Sequence, residues 1–86
     1  MRIWKFPLVI TDRQVVSVPV GAQMLDVQMQ GDTPCLWAMC REASEPQPRT
    51  IAIYGTGNPL PATPGRYIAT FQESAFVWHV FDLGRP

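Results

Sequence analysis

The segment Gly55-Thr56-Gly57-Asn58-Pro59 has residues that can hold an anion through backbone N–H groups. It follows a predicted strand, and glycine lets the backbone turn its N–H groups toward negative charge. We predict that the N–H groups of Thr56, Gly57 and Asn58 bind phosphate. A P-loop would also need a lysine and a helix, and a dinucleotide fingerprint a third glycine, so neither motif is present. The alternative is a turn that requires positive φ at its glycines.

Aromatic rings and arginines supply the other groups that a nucleotide ligand needs. Rings stack on bases, and guanidinium groups pair with phosphate in a forked geometry. Tyr54 and Trp4 are the candidates for the base, and Arg49 and Arg66 are the candidates for the charge. The predicted ligand-binding residues are Trp4, Arg49, Tyr54, Gly55, Thr56, Gly57, Asn58 and Arg66. The alternative for each ring is a place in the core of a small β protein.

No set of side chains indicates catalysis, a cofactor or a metal site. His79 is the only histidine, and in a strand it shares a face with Val77 and Phe81, so we expect it to be buried and hydrogen-bonded. The carboxylates fall in predicted turns or on polar strand faces, without the pairing that acid–base chemistry needs. Cys35 and Cys40 are an odd number of residues apart in one strand, so they face opposite sides and do not pair. Two unpaired thiols favour a reducing cytoplasm.

Composition excludes several classes of protein. Seven basic residues balance seven acidic ones, so the chain does not bind nucleic acid through bulk charge. No apolar run resembles a signal peptide or reaches the length of a membrane span, and we expect no membrane partner. Charged residues are only 16% of the chain and apolar residues 47%, which predicts self-association into a homo-oligomer. The alternative is a monomer with some exposed apolar surface.

The pattern of apolar residues predicts strands and almost no helix. Alternating and β-branched runs recur, whereas three-turn helical spacing is absent. Residues 24–41 form a hairpin in which Leu25, Val27 and Met29 share one face, and the proline-rich segment 42–48 is a loop. The predicted strands are residues 2–8, 14–18, 24–30, 34–41, 49–54, 66–72 and 75–83. The fold class is all-β, a single domain over residues 1–86, and a small antiparallel sandwich or barrel of about seven strands.

The opening Ile3-Trp4-Lys5, the stretch Ile53-Tyr54-Gly55-Thr56-Gly57 and the strand at residues 76–81 carry a resemblance over nearly the whole chain. The chain resembles a family of small phage and prophage proteins known only as a domain of unknown function. The resemblance implies a phage-encoded protein in the cytoplasm of a bacterial host, with no established activity. Small phage proteins without enzyme motifs often inhibit host defence, which is an analogy of size and source.

These observations together predict a non-enzymatic binding protein. We expect a homo-oligomer that sequesters a small anionic, nucleotide-type signal of host defence. One alternative is an inhibitor that binds a host defence protein through an exposed sheet edge or apolar patch. Another is a small structural phage protein. The expected partners are therefore a small anionic ligand, a second copy of the chain or a host protein.

Overall fold

Strands form all the regular secondary structure of the protein. The structure is a computed structural model that describes residues 1–86. The strands are β1 (Arg2–Pro7), β2 (Arg13–Pro19), β3 (Gln23–Gln30), β4 (Thr33–Cys40), β5 (Pro46–Gly55), β6 (Arg66–Glu73) and β7 (Phe76–Gly84). The predicted all-β class with seven strands is confirmed. None of the elements is a helix long and apolar enough to cross a membrane.

Two antiparallel sheets form a sandwich. The first sheet has the order β1-β4-β3, and the second has the order β2-β5-β7-β6. The edge strands β3 and β6 lie side by side without a shared ladder, and the Gln28 side-chain amide donates across this boundary to the Thr70 carbonyl at 3.4 Å. The sheets therefore approach each other along one side, as in a sandwich that is partly closed.

The core lies between the two sheets. Alternate residues of each strand point to the same face, so Leu36 in β4 faces Ile51 and Val80 in the second sheet. A smaller cluster around Val18 and Ala38 extends the core toward β2. Burying each large apolar side chain contributes about 1.5–3 kcal/mol, and these residues are almost fully buried.

The predicted hairpin at residues 24–41 is confirmed, with one correction at Leu25. Strands β3 and β4 are joined through Gly31, whose φ of 60° suits the first position of a tight hairpin turn. The pairing shifts between Met24 and Asp26, so Leu25 is an extra, unpaired residue and is 39% exposed. The expectation that Leu25 shares the buried face with Val27 is therefore wrong.

The proline-rich segment 42–48 is also only partly a loop. Strand β5 begins at Pro46, and its first three residues already pair with β2. The expected loop is therefore wrong for residues 46–48. The pairing of β5 with β7 begins only at Thr50. This end of β5 has a partner on one side only, and prolines without an N–H are tolerated at such an edge.

The connection between β5 and β6 crosses the outer face of the second sheet. Both strands are antiparallel to β7, which lies between them, so they are parallel to each other. Gly55 at the end of β5 lies opposite Trp78, whereas Arg66 at the start of β6 lies opposite Asp82. The segment 56–65, which we call the crossover loop, must therefore return along β7, because two parallel strands of one sheet can be joined only by a crossover connection.

The crossover loop ends at Gly65, where the backbone has no room for a side chain. Its φ is +101°, and a Cβ atom would lie 2.7 Å from the carbonyl oxygen of Asp82. Gly21 also has a positive φ of +79° but has open space around it. Gly21→Ala should cost about 1–2 kcal/mol of unfolding free energy. Gly65→Ala should lose the same amount for its positive φ and about 1–3 kcal/mol more from overpacking against Asp82. Urea unfolding of both variants measures this difference, and equal losses would contradict it.

Candidate functional site

A cleft of about 290 Å³ lies on the outer face of the second sheet, beneath the crossover loop. The sheet contributes Tyr54, Tyr67, His79 and Phe81 to its walls. The loop contributes Leu60 and the residues from Gly55 to Asn58. These sheet residues point outward because their neighbours Ile53 and Val80 point into the core. The volume and the mainly apolar lining are typical of a site for a small molecule.

The aromatic side chains of the cleft pack against one another. The ring of Phe81 is edge-to-face with Tyr54 at a centroid distance of 5.9 Å and with Tyr67 at 5.7 Å. The Tyr54 hydroxyl is buried and has no hydrogen-bond partner. A buried polar group without a partner costs about 1–3 kcal/mol, so the packing around Tyr54 is not optimised for stability alone.

A row of hydrogen-bonded polar side chains crosses the cleft. Thr56 Oγ1 lies 2.7 Å from His79 Nε2, and His79 Nδ1 lies 3.0 Å from Thr70 Oγ1. The Thr70 hydroxyl lies 2.8 Å from the Tyr67 hydroxyl. His79 and Thr70 are direct partners in the β6–β7 register, so the sheet itself sets this contact. His79 is hydrogen-bonded as predicted, although it is only half-buried.

The glycine segment forms a turn that uses most of its own N–H groups. Asn58 N–H donates to the Gly55 carbonyl at 3.1 Å, and Gly57 has a φ of 90°, as in a type II turn. Thr56 N–H donates to the Val77 carbonyl at 3.1 Å, because the ladder continues one residue past β5. The expectation of three free N–H groups for phosphate is therefore wrong for Thr56 and Asn58. Gly57 N–H alone among them makes no hydrogen bond within the protein.

Gly55 and Gly57 are required to be glycine for different structural reasons. The positive φ that the alternative reading predicts is present at Gly57 but not at Gly55. At Gly55 the constraint is contact, since a Cβ atom would lie 3.2 Å from the ring of Trp78 and 3.1 Å from the Asn58 side chain. Both residues therefore hold the turn against the sheet.

Arg49 and Arg66 lie in a second cavity of about 450 Å³ on the inward side of the second sheet. Arg49 forms an ion pair with Asp82, whose side chain is only 4% exposed. Asp82 Oδ1 also accepts the Gly84 N–H at 2.8 Å. Arg66 is exposed and forms no ion pair or side-chain hydrogen bond, so it is the free cation of this cavity. Tyr67 lines both the cleft and this second cavity.

The predicted ligand-binding residues thus fall into three places. Tyr54 and the turn from Gly55 to Asn58 line the cleft, and the two arginines line the second cavity. Trp4 lies in β1 opposite Ala38 in the first sheet and lines neither cavity. The residues that sequence reasoning left out of the set are His79, Tyr67, Thr70 and Phe81. Their signal was the alternation within β6 and β7, but only the register between strands brings them to Tyr54.

Other candidates for chemistry stay apart. Cys35 and Cys40 do not pair with each other, as their spacing predicts, and both are buried. No group of three or more histidine, cysteine, aspartate and glutamate side chains comes together in a way that could hold a metal ion.

Fold and site together define a two-sheet β domain with a ligand-sized cleft under its crossover loop. A family model described as Domain of unknown function (DUF7352) matches residues 1–86, and the chain belongs to that family. Neither a curated protein nor a solved structure matches the chain.

The buried ion pair gives a test of how the second cavity is held together. Asp82→Ala leaves the Arg49 guanidinium, which is 18% exposed, without its carboxylate. We expect a loss of about 3–5 kcal/mol of unfolding free energy, as for other broken buried pairs. Glu42→Ala removes the partner of Arg2 in an exposed pair and should cost less than about 1 kcal/mol. Chemical denaturation of both variants decides, and a small loss in Asp82→Ala would show that the pair is not buried in solution.

Proposed function

We propose that this domain is a non-enzymatic binding protein for a small ligand that combines a planar ring with an anionic group, as nucleotides do. The observation that carries the proposal is the position of Tyr67. Tyr67 is a lining residue of both the aromatic cleft and the cavity of the arginines, and it follows Arg66 directly in the chain. One ligand of nucleotide size can therefore place its ring on one side of Tyr67 and its charge on the other.

The aromatic cleft supplies the site for the ring. Tyr54, Tyr67 and Phe81 offer faces and edges, and stacking on such residues is worth about 1–3 kcal/mol per base. The hydroxyls of Thr56 and Thr70 can each donate or accept, so they suit the mixed donors and acceptors of a base edge. Leu60, which is 52% exposed, adds an apolar wall to the cleft.

Arg66 supplies the charge. Arg49 is neutralised by Asp82, whereas the Arg66 guanidinium is free to form a forked contact with phosphate. Gly57 N–H, which has no partner in the protein, belongs to the cleft and is a donor for a polar atom of the ring. The second cavity thus carries one net positive charge, which favours an anion at its mouth.

We further propose that the protein forms a homo-oligomer and sequesters a nucleotide-type signal of host defence in a bacterial cytoplasm. The support for self-association is the exposed apolar surface, including Ile3, Val15 and Phe76, together with the low charged fraction. The support for a phage-encoded role is the sequence resemblance alone. The alternative of a host-protein inhibitor is favoured by the free edge of β1, where Ile3 and Trp4 are exposed. A small structural phage protein is the third candidate.

Thermal unfolding with added ligands tests the binding proposal. A nucleoside monophosphate should raise the melting temperature more than the nucleoside or inorganic phosphate alone, since only the whole molecule reaches both sides of Tyr67. A ligand at 100 times its Kd should stabilise the protein by about 2.7 kcal/mol. Tyr67→Ala should abolish the shift, and Arg66→Ala should reduce the response to that of the nucleoside.

The matched control is Arg41→Ala, which removes an exposed arginine that forms no ion pair and lines neither cavity. It should leave every shift unchanged. An equal loss in Arg41→Ala and Arg66→Ala would reduce the effect to net charge. No shift with any nucleotide would contradict the proposed ligand class.

Native mass spectrometry of the protein purified from cells tests both the oligomer and its cargo. We expect an oligomer that carries the additional mass of one nucleotide-sized ligand per chain. The ligand should be lost from Tyr67→Ala while the oligomer remains, because Tyr67 lines the cavities and is not among the exposed residues, Ile3, Val15 and Phe76, that support self-association. A bare monomer would contradict self-association and would favour the inhibitor of a host protein.

A further inference from the structure

The polar row across the cleft has the arrangement of a reactive hydroxyl and its base. We propose that Thr56 is a nucleophile activated by His79 and that it accepts an acyl group from an activated ester. This inference uses the same cleft as the proposed binding function but does not depend on which ligand binds there reversibly. The inference is tested at the contact between Thr56 and His79, whereas reversible binding is tested at Tyr67 and Arg66.

The first observation is the contact between hydroxyl and imidazole. Thr56 Oγ1 lies 2.7 Å from His79 Nε2, which is within reach for direct proton transfer. The hydroxyl also lies 3.4 Å from the Val77 carbonyl oxygen, and this longer contact has to yield its proton when the hydroxyl donates to His79. Thr56 is exposed, so an ester can reach its hydroxyl from solvent. The type II turn at Gly57 fixes the backbone that carries it.

The second observation is that the other nitrogen of the imidazole is also held. His79 Nδ1 lies 3.0 Å from the Thr70 hydroxyl, which in turn contacts the Tyr67 hydroxyl at 2.8 Å. When Nδ1–H donates to Thr70, the lone pair of Nε2 faces Thr56, which is the tautomer that a general base needs. A hydroxyl occupies the place that a carboxylate has in a Ser-His-Asp triad, so the reaction should be slow and confined to activated esters.

The third observation is a donor for the developing oxyanion. Gly57 N–H directly follows Thr56 in the chain and has no hydrogen-bond partner in the protein. In α/β-hydrolases the N–H of the residue after the nucleophile fills this role. The side chains of Leu60 and Phe81 give the cleft apolar walls for an acyl chain.

The proposed step balances without any further reactant. Thr56 Oγ1 forms a bond to the carbonyl carbon of the ester while its proton moves to His79 Nε2. The bond from that carbon to the leaving oxygen breaks, and the leaving group takes the proton from the imidazolium. The products are an acyl ester of Thr56 and a free alcohol or phenol.

The test uses p-nitrophenyl acetate with the full chain. We expect release of p-nitrophenolate together with one acetyl group per chain, located on Thr56 by peptide mapping. Thr56→Val keeps the shape without the hydroxyl and should not be labelled at this position. His79→Gln keeps a hydrogen-bonding side chain that cannot take a proton, and it should slow labelling on the order of 100-fold. Thr70→Ala should slow labelling and Thr70→Ser should restore it.

The matched control is Thr63→Val, which removes a hydroxyl of the same loop that lines neither the cleft nor the second cavity. It should react like the parent protein. Acetylation confined to Lys5 or the amino terminus would overturn the inference, and so would an unchanged rate in His79→Gln. Unfolding midpoints show whether each variant is folded. If a variant is unfolded, the position of the acetyl group in the parent protein, found by peptide mapping, decides the test.

The outcome is separable from that of the binding proposal. Labelling of Thr56 without any nucleotide-dependent stabilisation supports the inference and contradicts reversible nucleotide binding. Stabilisation by nucleotides without labelling of Thr56 does the opposite.

Discussion

The middle of strand β5, from Ile51 to Ile53, is buried on both of its faces, and the rest of the molecule is arranged to cover it. Ile51 and Ile53 point toward the first sheet, while Ala52 between them is equally buried on the outer face. The chain has 86 residues, and three of its seven strands form the first sheet. No further sheet or helix is left to cover that outer face. The rings of Tyr54 and Phe81 and the crossover loop cover it instead. The cleft is the space that this incomplete cover leaves.

The strand order of the second sheet explains why a hydroxyl meets an imidazole there. Because β7 lies between β5 and β6, the crossover loop has to return along β7. It starts beside Trp78 and ends beside Asp82, so it passes over the outward side chain of His79. The turn at Gly57 then places Thr56 on that histidine. A contact that looks local to the loop is therefore set by topology.

The sequence predicts the strands well because alternation and prolines are local signals. It fails at Leu25, where a bulge depends on the partner strand, and at Pro46, which is tolerated only because β7 stops short of that end of β5. The candidate site follows the same division. The turn after Tyr54 is contiguous and can be read from the sequence, but His79 joins it only through strand register. Two of the three N–H groups expected to be free at the turn, those of Thr56 and Asn58, donate to backbone carbonyls in bonds that composition does not reveal.

Alternation along β7 also separates the charges of the protein from its ring-lined cleft. Asp82 points inward and holds Arg49, whereas His79 and Phe81 point outward. The two cavities therefore lie on opposite sides of one sheet, and Tyr67 is the one lining residue that they share. In the binding mode that we propose, a phosphate or a nucleoside would occupy one side alone, and only a molecule that reaches round β6 at Tyr67 would use both. The selectivity of the proposed site for a ring joined to an anion follows from this separation, because neither half of such a ligand finds both kinds of contact on one face.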